Sequence, residues 1–203
     1  MSACRLALGL LVCAGALAVG SPAQAGGAKD RLHGAYGMTL SQTCVFPPLA
    51  PPPNPGFDPA TGALLQPAEI VSATSTGIMR FADDGVVTLE QGVLSEIFQP
   101  RVQPGQVPVG ARNAYRCAGP YTFADQRELS IDLTCDVLVP RPGVAIRITP
   151  FQLSGYVSRS RESINLAALE GNVQLLELSV DGQVVQTRER VCLQHLTLDR
   201  IRD

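Results

Sequence analysis

The stretch from Tyr115 to Asp136 constrains the fold more than any other part of this 203-residue chain. Apolar and polar residues alternate on either side of a polar turn, Ala124-Asp125-Gln126-Arg127-Glu128, and period-two alternation is the signature of a strand with one buried face. Setting Phe123 opposite Leu129 brings Tyr121 opposite Ile131, Gly119 opposite Leu133 and Cys117 opposite Cys135. The inward face then holds Tyr115, Cys117, Tyr121, Phe123, Leu129, Ile131, Leu133 and Cys135. Arg116, Thr122, Ser130, Asp132, Thr134 and Asp136 face water, with Arg116 beside Asp136. One register thus satisfies hydrophobic alternation, a charge pair and the separation of about 4.5–5.5 Å found between opposed strand residues. It predicts a Cys117–Cys135 disulfide.

Disulfides persist in oxidising compartments, and residues 1–25 read as the signal that takes the chain to one. Arg5 supplies the charged start, residues 6–19 the apolar run, and Ala23-Gln24-Ala25 a small-residue cleavage site. The apolar run is shorter than the roughly 18–20 residues a membrane-spanning helix needs, and no comparable run follows, so no membrane span is expected. A lipidated Cys13 is a poorer reading because the bulky Val12 precedes it, and the single Arg5 excludes a twin-arginine signal. The expected location is periplasmic or extracellular.

Cleavage removes Cys4 and Cys13 and leaves Cys44, Cys117, Cys135 and Cys192. Once Cys117 is paired with Cys135, Cys44–Cys192 follows by elimination and ties an early strand to the last one. Closure of a barrel makes first and last strands neighbours. Alternation places Cys44 on the face of Tyr36 and Leu40. Cys192, however, falls out of phase with Val191 and Leu193, which are read as inward together with Val185 and Glu189, so a bulge near one strand end is expected.

Turn chemistry divides the rest of the chain. Residues 34–44 alternate as a strand; residues 46–67 are Pro-rich, including Pro47-Pro48 and Pro51-Pro52-Pro53-Asn54-Pro55, and are expected to form an extended loop outside the sheet interior. Phe81-Ala82-Asp83-Asp84-Gly85-Val86-Val87 fits a hairpin with Gly85 in the left-handed position, setting Phe81 opposite Val87 and Met79 opposite Leu89. Asp181-Gly182 fits a two-residue hairpin, expected to set Leu178 opposite Val185 and Leu176 opposite Thr187. Further strands are read over 86–98, 144–149, 151–158 and 164–169, the last with a short helix as its alternative. The expectation is an all-β, antiparallel up-and-down barrel of about eight or nine strands forming one domain over 26–203, with a β-sandwich as the alternative.

Leu32-His33-Gly34-Ala35-Tyr36 at the first strand, the Phe81–Gly85 hairpin and the paired-cysteine hairpin resemble uncharacterised secreted bacterial proteins with lipocalin-like (calycin-type) barrels. Tyr36 stands where that resemblance implies a Trp, and the chain has no Trp. The Arg that packs on that aromatic would be Arg188 or Arg190. The allene oxide cyclase type of small barrel is similar on comparable grounds. What the resemblance implies is a barrel able to hold a cavity, and fold by itself does not define function.

Residues 26–203 carry 15 basic side chains, the chain's 16 less Arg5, against 18 acidic ones. No basic stripe exists to release phosphate counterions, which argues against nucleic acid as a partner. The two histidines, His33 and His195, belong to no metal or nucleophile motif, and no phosphate-binding or dinucleotide loop is present. A terminal metal site built from Cys192, His195, His33 and Cys44 is outweighed by oxidation of the cysteines. Glu189 is expected near a rim beside Arg188 or Arg190. No catalytic residue, metal or cofactor is therefore assigned, and oligomeric state is open. Tyr36, Met38, Met79, Phe81, Tyr115, Tyr121 and Phe123 form an inward apolar stripe that is either packed core or the lining of a pocket for a small apolar ligand. Three functions follow: a secreted lipocalin-like binding protein, a structural or surface-interaction barrel using its Pro-rich loop, and a cofactor-free cyclase-like enzyme.

Overall fold

The computed structural model describes residues 31–97, 110–168 and 173–202. The signal region 1–25 and Phe98 lie outside them. Among these described residues nine antiparallel strands follow in order: β1 (Gly34–Phe46), β2 (Glu69–Phe81), β3 (Val86–Ile97), β4 (Gly110–Phe123), β5 (Glu128–Leu138), β6 (Val144–Val157), β7 (Ser163–Ala168), β8 (Val173–Val180) and β9 (Gln183–Arg200). No helix occurs among the described residues.

Sequential neighbours pair from β1 through β7, and β9 returns to pair with β1, so the hydrogen bonding closes on itself. β7 and β8 share one position in the ring. β7 pairs with the Leu153–Val157 part of β6 and with Ser163-to-Asp199 register on β9, while β8 pairs with Val144–Thr149 and the early part of β9. The ring therefore has eight staves, the seventh made of two collinear strands. A closed eight-stave ring rather than a two-sheet sandwich is the architecture, and closure leaves few strand edges for other chains to pair with.

The central hairpin adopts the expected register, with Cys117 opposite Cys135, Tyr121 opposite Ile131 and Phe123 opposite Leu129. Its inward side chains are buried apart from the partly covered Phe123, and Arg116 Nε lies 3.9 Å from Asp136 on the outside. The β2–β3 hairpin likewise sets Met79 opposite Leu89 and Phe81 opposite Val87. Gly85 turns it at φ +85°, a conformation open to glycine at little cost.

Three expectations are corrected. The Asp181-Gly182 turn forms with both residues at positive φ, but a register shift between Leu178 and Ser179 puts Leu178 opposite Gln186 and Leu176 opposite Arg188. The extra residue of a bulge displaces every pair beyond it, which turn chemistry alone cannot reveal. The strands read over 144–149 and 151–158 are one strand, β6, ending at Val157, whose irregularity lies opposite Leu133/Cys135 beside Pro150. The strand read over 164–169 is borne out as residues 163–168, and its helical alternative is not formed; Leu169 lies outside the described residues.

The third correction concerns β9. Its pairing with β1 runs without interruption from Tyr36/Arg200 to Val45/Val191 and sets Cys44 opposite Cys192, so no bulge is needed. Instead the faces are reversed: Cys192, Gln194, Leu196 and Leu198 are buried, Leu193 is 79% exposed, and Val191, Val185 and Glu189 share its outward side. The polar inward residues of β9 disguise its buried face.

Candidate functional site

Register divides the barrel into two ends. One carries the start of β1 and the β2–β3 and β4–β5 hairpins; the other carries the β1–β2 loop and the β8–β9 hairpin. At the first end, Tyr36, Phe81, Tyr121 and Phe123 form a chain of edge-to-face rings, with centroids 5.3, 5.2 and 6.3 Å apart. Such pairs add about 0.5–1.5 kcal/mol each beyond area burial. Leu32, 1% exposed, joins the same core, and its carbonyl accepts a hydrogen bond from the Tyr121 hydroxyl at 2.9 Å. Tyr36 donates its hydroxyl to the Arg161 carbonyl, also at 2.9 Å.

All seven residues of the predicted apolar stripe thus face inward and meet in one core. Among the described residues, Met38, Met79, Tyr115, Phe151 and Leu196 line a void of about 10 Å³, at the lower limit for a single water. An eight-strand barrel is just wide enough for side chains to fill its axis, and here the large residues Tyr36, Met79, Leu129, Ile131 and Leu153 do so with 2% exposure or less.

Toward the second end the interior becomes polar. Gln194 Nε2 donates to Gln42 Oε1 at 2.8 Å, Gln174 Nε2 to Gln194 Oε1 at 3.2 Å, and Arg190 Nε to Gln174 Oε1 at 2.8 Å. All four side chains are buried. Nearby, the Tyr115 hydroxyl and Ser75 Oγ lie 2.6 Å apart, and the guanidinium groups of Arg188 and Arg190 sit 5.2 and 5.4 Å from the centre of the Phe46 ring. The arginines therefore cover Phe46, whereas Tyr36, the aromatic they were expected to pack on, lies at the opposite end of β1 beside Arg200. Sequence reasoning missed this buried row. A signal existed: once Cys44 opposes Cys192, Gln42 and Gln194 are opposed two residues further along the same face.

Burial pushes the phenols of Tyr36, Tyr115 and Tyr121 above the ordinary tyrosine range. For Tyr115 the hydrogen bond to Ser75 and the charge of Arg190 oppose that effect, and for Tyr121 the bond to Leu32 does. These groups stay protonated at neutral pH, and Tyr36 and Tyr121 donate to backbone carbonyls. Among the described residues no group of three or more His, Cys, Asp or Glu could hold a metal. His33 is exposed beside Asp83 at 3.3 Å, His195 is exposed opposite Ser41, and the four cysteines form two disulfides, Cys44–Cys192 and Cys117–Cys135.

Outside the barrel, the Pro-rich loop is fastened to β9. Ala50 and Thr187 exchange both backbone hydrogen bonds, at 3.3 and 2.8 Å. The buried Asn54 donates to the carbonyls of Thr187 (2.8 Å) and Pro48 (3.0 Å). Glu189, outward and not at an inward rim, accepts from the backbone amides of Gly56 (2.7 Å) and Phe57 (3.0 Å). Two open concavities mark the outer sheet, one lined by Thr122, Asp132 and Gln152, the other by Glu90, Arg116 and Asp136.

No protein-family model matches this chain, and comparison with curated proteins and with solved structures found no match.

Proposed function

We propose that this chain is an exported, disulfide-stapled β-barrel that works through its outer surface, as an interaction or structural module. The observation that carries this reading is how the described residues pack at the axis: the void lined by Met38, Met79, Tyr115, Phe151 and Leu196 measures about 10 Å³, too small at that level for a small apolar ligand. A lipocalin-like binding protein needs an internal cavity of several hundred Å³, which the residues around that void do not leave. Two disulfides are compatible with an oxidising, exported location. The near-neutral charge keeps nucleic acid out of the candidate partners.

Native mass spectrometry of the protein purified from the envelope of its own cells tests the reading. The expected species begins at Gly26, carries both disulfides and holds no adduct. A stoichiometric small molecule retained through purification would overturn the proposal in favour of a binding protein.

A further inference from the structure

We propose, independently of the surface-acting reading above, that the chain cuts itself at the Asp58–Pro59 peptide bond, by attack of the Asp58 carboxylate on its own backbone carbonyl, and that the two resulting chains stay joined. This is the one Asp-Pro step in the sequence. It lies in the β1–β2 loop with Pro59 and Ala60 exposed and Asp58 half-buried, so water reaches the bond. Exposed loops of this kind are where a chain tolerates a cut.

The turn around the bond supplies what the reaction needs. Asp58 Oδ1 accepts from the backbone amides of Ala60 at 2.9 Å and Thr61 at 2.8 Å. Each of those bonds closes a ring that contains the Asp58–Pro59 bond, so the carboxylate is folded back along the peptide it attacks. Holding a nucleophile beside its target removes much of the entropic barrier to such a step. The same bonds, that from Thr61 foremost, hold the carboxyl below the usual carboxylate range and so keep it ionised in mild acid. The carbonyl oxygen under attack accepts from the Gly62 amide at 2.7 Å, a donor aimed where negative charge grows. Pro59 is the leaving group, and its tertiary amide nitrogen departs as a basic secondary amine. A carboxylate oxygen bonds to the Asp58 carbonyl carbon to give a cyclic anhydride; the C–N bond breaks, its electron pair goes to the Pro59 nitrogen, and that nitrogen takes a proton from the acidic solution. Water then opens the anhydride, so the net change is hydrolysis of one peptide bond.

The halves remain one molecule. Across the cut, the Asp58 amide donates to the Ala63 carbonyl at 2.8 Å and the Leu65 amide to the Gly56 carbonyl at 2.9 Å. Gln66 Nε2 bonds Asn54 Oδ1 at 2.8 Å and the Pro55 carbonyl at 2.9 Å. Beyond the loop, the uninterrupted ladder between β1 and β2 and the Cys44–Cys192 disulfide join the chain that ends at Asp58 to the chain that starts at Pro59.

Intact-mass analysis of the full chain exported by its own cells is the test. The protein is kept in mildly acidic buffer, either folded or unfolded in urea with its disulfides intact, and weighed before and after reduction. The expected result is a gain of one water before reduction and, after it, two chains, one ending at Asp58 and the other starting at Pro59. They should form several-fold faster in the folded protein than in urea, because only the folded turn holds the carboxylate in place. Asp58→Ala should abolish the cut. Pro59→Ala, which keeps the carboxylate but replaces the tertiary amide, should slow it several-fold. An intact chain, a cut elsewhere, a rate in urea equal to or above that of the folded protein, or a rate indifferent to either variant overturns the inference.

Discussion

Cys44 and Cys192 stand directly opposite each other across the seam between β1 and β9, their Cα atoms 4.0 Å apart although 148 residues separate them in sequence. The Cys117–Cys135 bridge spans only 18 residues within one hairpin. In the chain-entropy account, a longer closed loop restricts the unfolded chain more. Replacing Cys44 and Cys192 together by Ala should lower the unfolding free energy by about 5 kcal/mol, against about 3 kcal/mol for Cys117 and Cys135. Urea denaturation of the two double variants compares them. An equal or larger loss at the short bridge would contradict this ordering.

Tyr115 packs its ring onto Gly92, where a Cβ would come within 2.5 Å of the ring. The neighbour is a buried ring tied to Ser75, so it cannot swing aside without losing that bond. Gly92→Ala is expected to destabilise by about 1–3 kcal/mol, as overpacking does. Adding Tyr115→Leu should recover part of the loss, and a double-mutant cycle on thermal unfolding measures the coupling.

The reversed faces of β9 make opposite predictions for adjacent residues. Gln194→Leu strands Gln42 Oε1 and Gln174 Nε2 in the interior, at about 1–3 kcal/mol for each buried group left unsatisfied. Leu193→Gln, at a site 79% exposed, should stay within about 0.5 kcal/mol of the parent. If the leucine substitution were harmless and the glutamine one severe, the assignment of faces would be inverted.

Tyr36, Tyr115 and Tyr121 ionise above 10.0, chiefly because burial opposes the phenolate. Their folded-state values exceed the unfolded ones, so the stabilisation is fully present below about pH 10 and is lost as pH rises through the folded values. Ultraviolet absorbance should show these three phenols titrating late and together with unfolding, and Tyr115→Phe should soften the alkaline loss.

The local parts of the fold were legible because their signals are local. Alternation from Tyr115 to Asp136, with the polar turn between, set a register that held pair by pair. Gly85 did the same for the hairpin of Met79 and Leu89. The Asp181-Gly182 turn was legible but its register was not, because a bulge leaves no mark in turn chemistry. Of the candidate site, the inward stripe from Tyr36 to Phe123 could be read from parity. Whether it enclosed space depended on how rings from β1, β2 and β4 meet at the axis.

The amino-acid sequence by itself determined most of the strands, the two hairpin registers and the Cys117–Cys135 pairing, since each depends on residues close enough in the chain for period-two geometry to carry the information. The tertiary structure decided the rest. β9 bears Val191 and Leu193 on one side and Arg190 and Gln194 on the other, so hydrophobicity pointed its strand the wrong way. Only the pairing with β1, which buries Cys192 against Cys44 and satisfies Gln194 with Gln42, made the polar face the inner one.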